Sequence, residues 1–300
     1  MAEQRRSAAG PMPNLVNVIA DALGPLMPAR FRGDVPVVPV VRFNGVIGAA
    51  VPLRPGLSLA TTARTIERAF KVRNARAVAL IINSPGGSPS QSHLIFQRIR
   101  QLAAEKKIPV FAFIEDIGAS GGYMLACSAD EIVADVYSLV GSIGVVGGSF
   151  GFEKLIGKLG IERRLYTSGE RKTMLDPFLP EKPEDVKRLK AIQKDIHERF
   201  IALVKERRGS RLKGADKTLF SGEFWTAANA LELGLIDNIG DLRSFLRSRY
   251  GDKVRTPLIA AEKGWFARRF GFSRMGLQSG LADEAISALE ERAIWSRYGL

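Results

Sequence analysis

Two short apolar runs, residues 77–82 and 110–114, each end in a glycine-rich turn, and each turn is followed by a stretch of helical spacing. Neither run alternates polar with apolar residues, so each is expected to be covered on both faces, as strands of a parallel sheet are. The first turn is Asn83-Ser84-Pro85-Gly86-Gly87, leading into residues 90–105 with Leu94, Ile95, Ile99 and Leu102 on one side. Pro109 then separates that helix from the second run. The second turn is Gly118-Ala119-Ser120-Gly121-Gly122-Tyr123, leading into a helical run through Cys127. Strand, turn, helix, strand, turn, helix points to an α/β fold with a largely parallel sheet and surrounding helices. Both turns fall at carboxyl ends of strands, the edge where such sheets place their sites.

The remaining elements follow from local pattern. Residues 37–43 are valine-rich and read as a strand, moved toward a sheet edge by Pro39. Asn44-Gly45 signals a turn, and Ala63, Ile66 and Phe70 mark a helix over 60–71. Residues 131–134 read as a short strand and 141–148 as a strand bounded by glycines. A helix over 152–159, an extended piece at 164–166 and a loop over 167–180 come next. Pro183 opens a long helix to Arg208, with an apolar stripe of Val186, Leu189, Ile192, Ile196, Phe200 and Leu203. Shorter helices are expected within 220–240 and over 241–250. Residues 1–34 read as an N-terminal arm, 35–252 as the main domain, and 253–300 as a basic, aromatic tail carrying Trp265, Phe266, Phe270 and Phe272 among Arg268, Arg269 and Arg274.

The formal net charge of +13 raises nucleic acid or an anionic membrane surface as partners. Much of the excess lies over 182–213, where a solvated helix face is the simpler reading, and no aromatic residues interleave with the cations to stack bases, so no nucleic-acid partner is expected. Peripheral membrane contact stays open, through an amphipathic stretch at 15–27 or the tail. No run reaches the ~20 apolar residues of a membrane-spanning helix, and no clear signal peptide is present, so a cytoplasmic or membrane-surface location is expected. Cys127 stands alone, and His93 and His197 are the only histidines, so neither a disulfide nor a zinc cluster is supplied.

Ser120 is the residue on which a chemical reading turns. A serine between small residues at a strand-to-helix turn stands clear of the backbone, glycines let a substrate approach, and the helix start leaves amide N–H groups unpaired. That suits attack on a carbonyl whose oxygen becomes an anion. The alternative is that Ser120 merely caps the helix.

Taken together, five motifs in order resemble the signal-peptide peptidase A, or protease IV, family of serine peptidases. They are the two glycine turns, Gly141-Ser142-Ile143-Gly144-Val145, Ser168-Gly169-Glu170-Arg171-Lys172, and Phe224-Trp225-Thr226-Ala227 leading to Gly234-Leu235-Ile236-Asp237. The resemblance implies a crotonase-like fold and a peptidase that uses a Ser/Lys dyad and no cofactor or metal. It matches Ser120 with the nucleophile and Lys172 with the general base. It also implies a homo-oligomeric ring in which the dyad is completed within or between subunits. The residues are compatible with those roles. Histidine is scarce, and a lysine serves as base once burial or neighbouring cations remove its proton. Arg171 adjoins Lys172, and Lys154 and Lys158 are rival bases. Amides of Gly86 or Gly87 and of Gly121 would hold the oxyanion, and Ser142, Ile143 and Gly144 would line a groove for small or apolar substrate side chains. The expected substrates are signal-peptide remnants or other unfolded or membrane-derived peptides. Two competing readings are a crotonase-type acyl-CoA enzyme using Glu115 and Asp116, and a non-catalytic basic scaffold at a membrane surface.

Overall fold

A computed structural model describes residues 35–48, 56–148, 150–169, 171–260 and 292–300. The expected N-terminal arm, its 15–27 segment and the aromatic tail residues 265–274 lie outside the described residues. In chain order the elements are β1 (Val40–Asn44), α1 (Leu59–Phe70), β2 (Val78–Ser84), α2 (Pro89–Lys106), β3 (Val110–Ala119), α3 (Gly121–Ala126), β4 (Glu131–Ala134), β5 (Leu139–Gly141), α4 (Glu153–Lys158), α5 (Pro183–Arg208), α6 (Asp216–Leu219), β6 (Phe224–Thr226), α7 (Ala227–Glu232), β7 (Asn238–Ile239) and α8 (Leu242–Tyr250).

The sheet runs β1-β2-β3-β4-β7, with every neighbouring pair parallel. The expected α/β class with a largely parallel sheet is the one the chain adopts. β1 is the last strand on its side, as Pro39 suggested, and it is flanked by backbone bonds from Val38 to Arg255 (2.8 Å), from Val40 to Pro257 (2.9 Å) and from Ile259 to Val40 (2.8 Å). The first residues assigned to the tail are thereby joined to the sheet edge.

β3 is longer than its apolar run indicates. Its first half pairs with β4 through Phe111–Ile114, and its second half pairs with β5 through Ile117–Ala119. β5 turns to pair antiparallel with β6. The strand expected over 141–148 is replaced by β5, which ends at Gly141. The reason is local: the Gly141 carbonyl accepts the Ser120 N–H at 2.8 Å, and Ser142 then takes a φ of +51°, which carries the chain out of the sheet. Residues 164–166 join no sheet among the described residues.

Apolar layers cover both faces. The larger one packs α1, α2, α3 and the end of α5 on the sheet through Ile66, Phe70, Ile95, Ile99, Leu125, Phe200 and Val204. The smaller one places α8 on the opposite face, where Phe245 meets Phe111 and Phe113 edge-on at 5.3 and 5.5 Å. Burying each such large side chain stabilises the fold by about 1.5–3 kcal/mol. These layers hold the carboxyl ends of β2 and β3 side by side, with Ser84 paired to Gly118.

Candidate active site

Ser120 sits where β3 ends and α3 begins, at φ 51° and ψ −120°. That conformation is strained for any residue with a Cβ and is tolerated where the surroundings over-determine it. They do so here. The Ser120 N–H is tied to Gly141, and its carbonyl accepts the Met124 N–H at 3.0 Å. Its side chain makes no capping hydrogen bond, so the helix-cap reading of Ser120 fails. Ser120 instead lines a pocket together with Gly87, Pro89, Gly121, Met124, Gly144, Val145, Ile196 and Phe200.

The first glycine turn backs directly onto this residue. Gly86 has φ +100°, and a Cβ there would lie 2.7 Å from the Gly121 nitrogen and 2.8 Å from the Ser120 Cβ. At Gly122 a Cβ would lie 2.3 Å from the Ser84 carbonyl oxygen, so α3 starts close against β2 only because that position has no side chain. The amides differ in availability. The Gly86 N–H donates to Ser84 Oγ at 3.2 Å. The N–H groups of Gly87 and Gly121 have no hydrogen-bond partner among the described residues. Of the two alternatives expected on the first turn, Gly87 is therefore the available donor.

The loop after β5 brings only part of the expected groove to the pocket. Gly144 and Val145 line it. The Ile143 side chain is fully buried in the core, so it packs inward, while its carbonyl accepts a hydrogen bond from His197 Nε2 at 2.9 Å. The Ser142 N–H donates to the Glu223 carbonyl at 2.6 Å, and Ser142 Oγ accepts from the Tyr298 hydroxyl at 3.3 Å. Tyr298 also meets Phe224 edge-on at 5.0 Å.

None of the pocket residues is a base. Lys172 is exposed on the turns that precede α5 and is outside the pocket lining. Lys154 and Lys158 lie on α4, which buries none of its residues. The carboxylates needed by an acyl-CoA chemistry are engaged elsewhere: Glu115 is held by both terminal nitrogens of Arg42 (2.7 and 2.9 Å), and Asp116 accepts from Asn83 at 2.6 Å. Among the described residues no group of three or more His, Cys, Asp or Glu is arranged to hold a metal ion, and no helix is long and apolar enough to cross a membrane.

Behind α3 lies a buried polar network that sequence reasoning missed. Tyr123, wholly buried, donates its hydroxyl to the Leu235 carbonyl at 2.7 Å. Arg208, 2% exposed, donates to the Gly234 carbonyl and to both oxygens of Asp237 (2.8 and 2.9 Å). Asp237 also accepts the Ile132 N–H at 2.7 Å. Burial disfavours the Asp237 carboxylate, but the Arg208 guanidinium and the Ile132 amide outweigh it and hold its pKa below the usual carboxylate value. Burial raises the Tyr123 hydroxyl well above its ordinary value and pushes the Cys127 thiol up to about 12. The network pins α3, the helix that follows Ser120, to the 234–237 turn. In the sequence Arg208 was one more cation at the end of a basic helix. Ile196 and Phe200 were visible as an apolar stripe, but not as walls of a pocket.

The model for Peptidase family S49 matches residues 103–251, the segment from the second half of α2 through α8. A Brucella abortus protein named "Na(+)/H(+) antiporter NhaA" is 53% identical over 286 residues, covering 92% of this chain and 38% of its own length. The chain therefore spans well under half of that relative, whose name describes a longer protein. "Serine protease SPPA, chloroplastic" of Arabidopsis thaliana is 32% identical over 212 residues, covering 68% of this chain and 31% of its own. "Putative protease slr0021" of Synechocystis is 32% identical over 219 residues, covering 70% of this chain and 78% of its own. A serine freed from capping, set against two glycine turns, and a relative matched over most of its length place this chain in Peptidase family S49, the signal-peptide peptidase A group of serine peptidases.

Proposed function

We propose that this chain is an endopeptidase in which Ser120 attacks the peptide carbonyl and Lys172 is the general base. The observation that carries this reading is the uncapped Ser120 in a pocket lined also by Gly87 and Gly121, whose amides have no partners among the described residues. Lys172 takes the Ser120 proton as Oγ bonds to the carbonyl carbon. The oxyanion accepts from Gly87 and Gly121, each such donor being worth about 10²–10³ in rate. Lys172 then passes its proton to the departing amine, and water hydrolyses the acyl-enzyme. The substrates are extended peptides such as signal-peptide remnants or other unfolded or membrane-derived segments, with small or apolar side chains facing Met124, Val145 and Ile196.

Lys172 reaches Ser120 in a homo-oligomer, supplied by a neighbouring subunit. Val146, Phe150, Leu155, Leu159, Ile161 and Tyr166 all stand exposed on the segment between β5 and the turn that carries Lys172. So many exposed apolar side chains on one segment are expected to be covered by a protein partner. A peptide-cleavage assay beside fluorophosphonate labelling tests the reading. Ser120→Ala and Lys172→Ala are each expected to lose cleavage while staying folded, and mixing the two is expected to restore part of it, because some interfaces then pair an intact serine with an intact lysine. Substantial cleavage by pure Ser120→Ala removes the proposal. Cleavage that survives Lys172→Ala removes the lysine's role.

A further inference from the structure

We infer that His197 is a positioning residue for peptide binding: its imidazole fixes the 143–145 segment over Ser120. The inference rests on the peptidase reading above. The loop leaving β5 is anchored at its start, where Gly141 accepts the Ser120 N–H and the Ser142 N–H donates to Glu223. Beyond that, the Gly144 N–H turns back onto the Ser142 carbonyl at 2.9 Å, a bond inside the loop itself. Among the described residues Val145, Val146, Gly147 and Gly148 make no backbone hydrogen bonds. The His197 contact at 2.9 Å is thus the last polar tie between this segment and the rest of the molecule before Gly144 and Val145 enter the pocket.

The chemistry of the contact is specific. A carbonyl only accepts, so Nε2 must carry the proton, which orients the imidazole. Ile196 and Phe200 flank His197 on α5 and line the same pocket, so one helix both walls the site and holds its opposite rim. The Ile143 side chain is locked in the core, which leaves its carbonyl as the handle by which the following residues are set. A peptide lying along this rim would feel a shift of Gly144 and Val145, whereas a small reagent reacting with Ser120 alone would not. Removing the tie therefore weakens binding of substrate and transition state alike, which raises KM and leaves kcat.

The test compares His197→Ala with His197→Gln, whose amide nitrogen supplies a donor at similar reach, on the full chain. Expected for His197→Ala is a KM for an extended peptide about tenfold higher, kcat within about twofold, and an unchanged rate of fluorophosphonate labelling. His197→Gln is expected to recover most of the loss. Amide hydrogen exchange at Ile143 and Gly144, measured also in the Ser120→Ala background, is expected to quicken in His197→Ala and to return in His197→Gln. A lower kcat at unchanged KM, equal behaviour of the two variants, or unaltered exchange at Ile143 and Gly144 overturns the inference. Failure of the peptidase reading shows separately, as a wild-type chain that neither cleaves nor labels, and the exchange measurement still decides the role of His197.

Discussion

Replacing Ser120 by glycine is expected to make the protein more stable while leaving it inactive. The residue's φ of 51° and ψ of −120° cost a side-chain-bearing residue about 1–3 kcal/mol, which glycine does not incur. Against this, glycine's freer unfolded chain costs about 0.4–1 kcal/mol relative to alanine. The hydroxyl contributes nothing that offsets the change, because it makes no capping bond. The balance is about 1 kcal/mol in favour of Ser120→Gly over Ser120→Ala, or about 2–4 °C in melting temperature for a domain of this size. Ser120→Ala keeps the strained backbone and is expected to melt within about 0.5 kcal/mol of wild type. Calorimetry on the three proteins at one concentration reads this directly. If Ser120→Gly melts below Ser120→Ala, the backbone is not strained at this position and the reasoning that links the turn to a held nucleophile is wrong.

Three further outcomes follow from the geometry. Gly86→Ala puts a methyl 2.8 Å from the Ser120 Cβ at a φ of +100°, so peptide cleavage is expected to fall at least about a hundredfold, as when a reacting group is displaced by an ångström; near-normal kcat/KM counts against the close packing of the two turns. Arg208→Ala removes the two short guanidinium bonds to Asp237, leaving it only Arg211 at 3.4 Å and the Ile132 amide, and is expected to cost about 3 kcal/mol in urea unfolding at neutral pH. Because the folded pKa of Asp237 is lowered, its contribution is complete above the unfolded value of about 3.9 and is lost as pH falls through the folded value. The gap between wild type and Arg208→Ala should therefore narrow in acid, and a gap that widens contradicts the assignment. Cys127, buried and with its thiol pushed up to about 12, is expected to resist iodoacetamide at pH 8 in the folded protein and to react once guanidinium unfolds it; mass spectrometry showing prompt alkylation of the native chain refutes its burial.

Much of the frame was readable from local pattern. Continuous apolar runs need cover on both faces, which marked β2 and β3, and their alternation with glycine turns and helical spacing gave the α/β class. Pro183 and Gly209 bracket α5 by fixing φ at one end and leaving the left-handed region open at the other. The motif around Ser120 carried the position of the candidate nucleophile, since small residues at a strand-to-helix turn have few other uses. The extent of β3 was not readable, because Gly118 and Ala119 have no strand preference of their own and are extended only by pairing with β2 and β5. Nor was the place where the chain leaves the sheet after Gly141, which depends on the Ser120 amide reaching its carbonyl.

The order of elements, the sheet type and the reactive turn are properties of neighbours along the chain, set by periodicity and by which residues tolerate a given φ. Long-range contact settled the rest: Gly87 rather than Gly86 as the open amide, Ile143 facing the core, His197 on its carbonyl, Arg208 clamped on Asp237, and Lys172 outside the pocket lining. Hydrogen-bond partners and burial belong to pairs of residues far apart in sequence, and no local pattern encodes which distant group will arrive to take a given N–H.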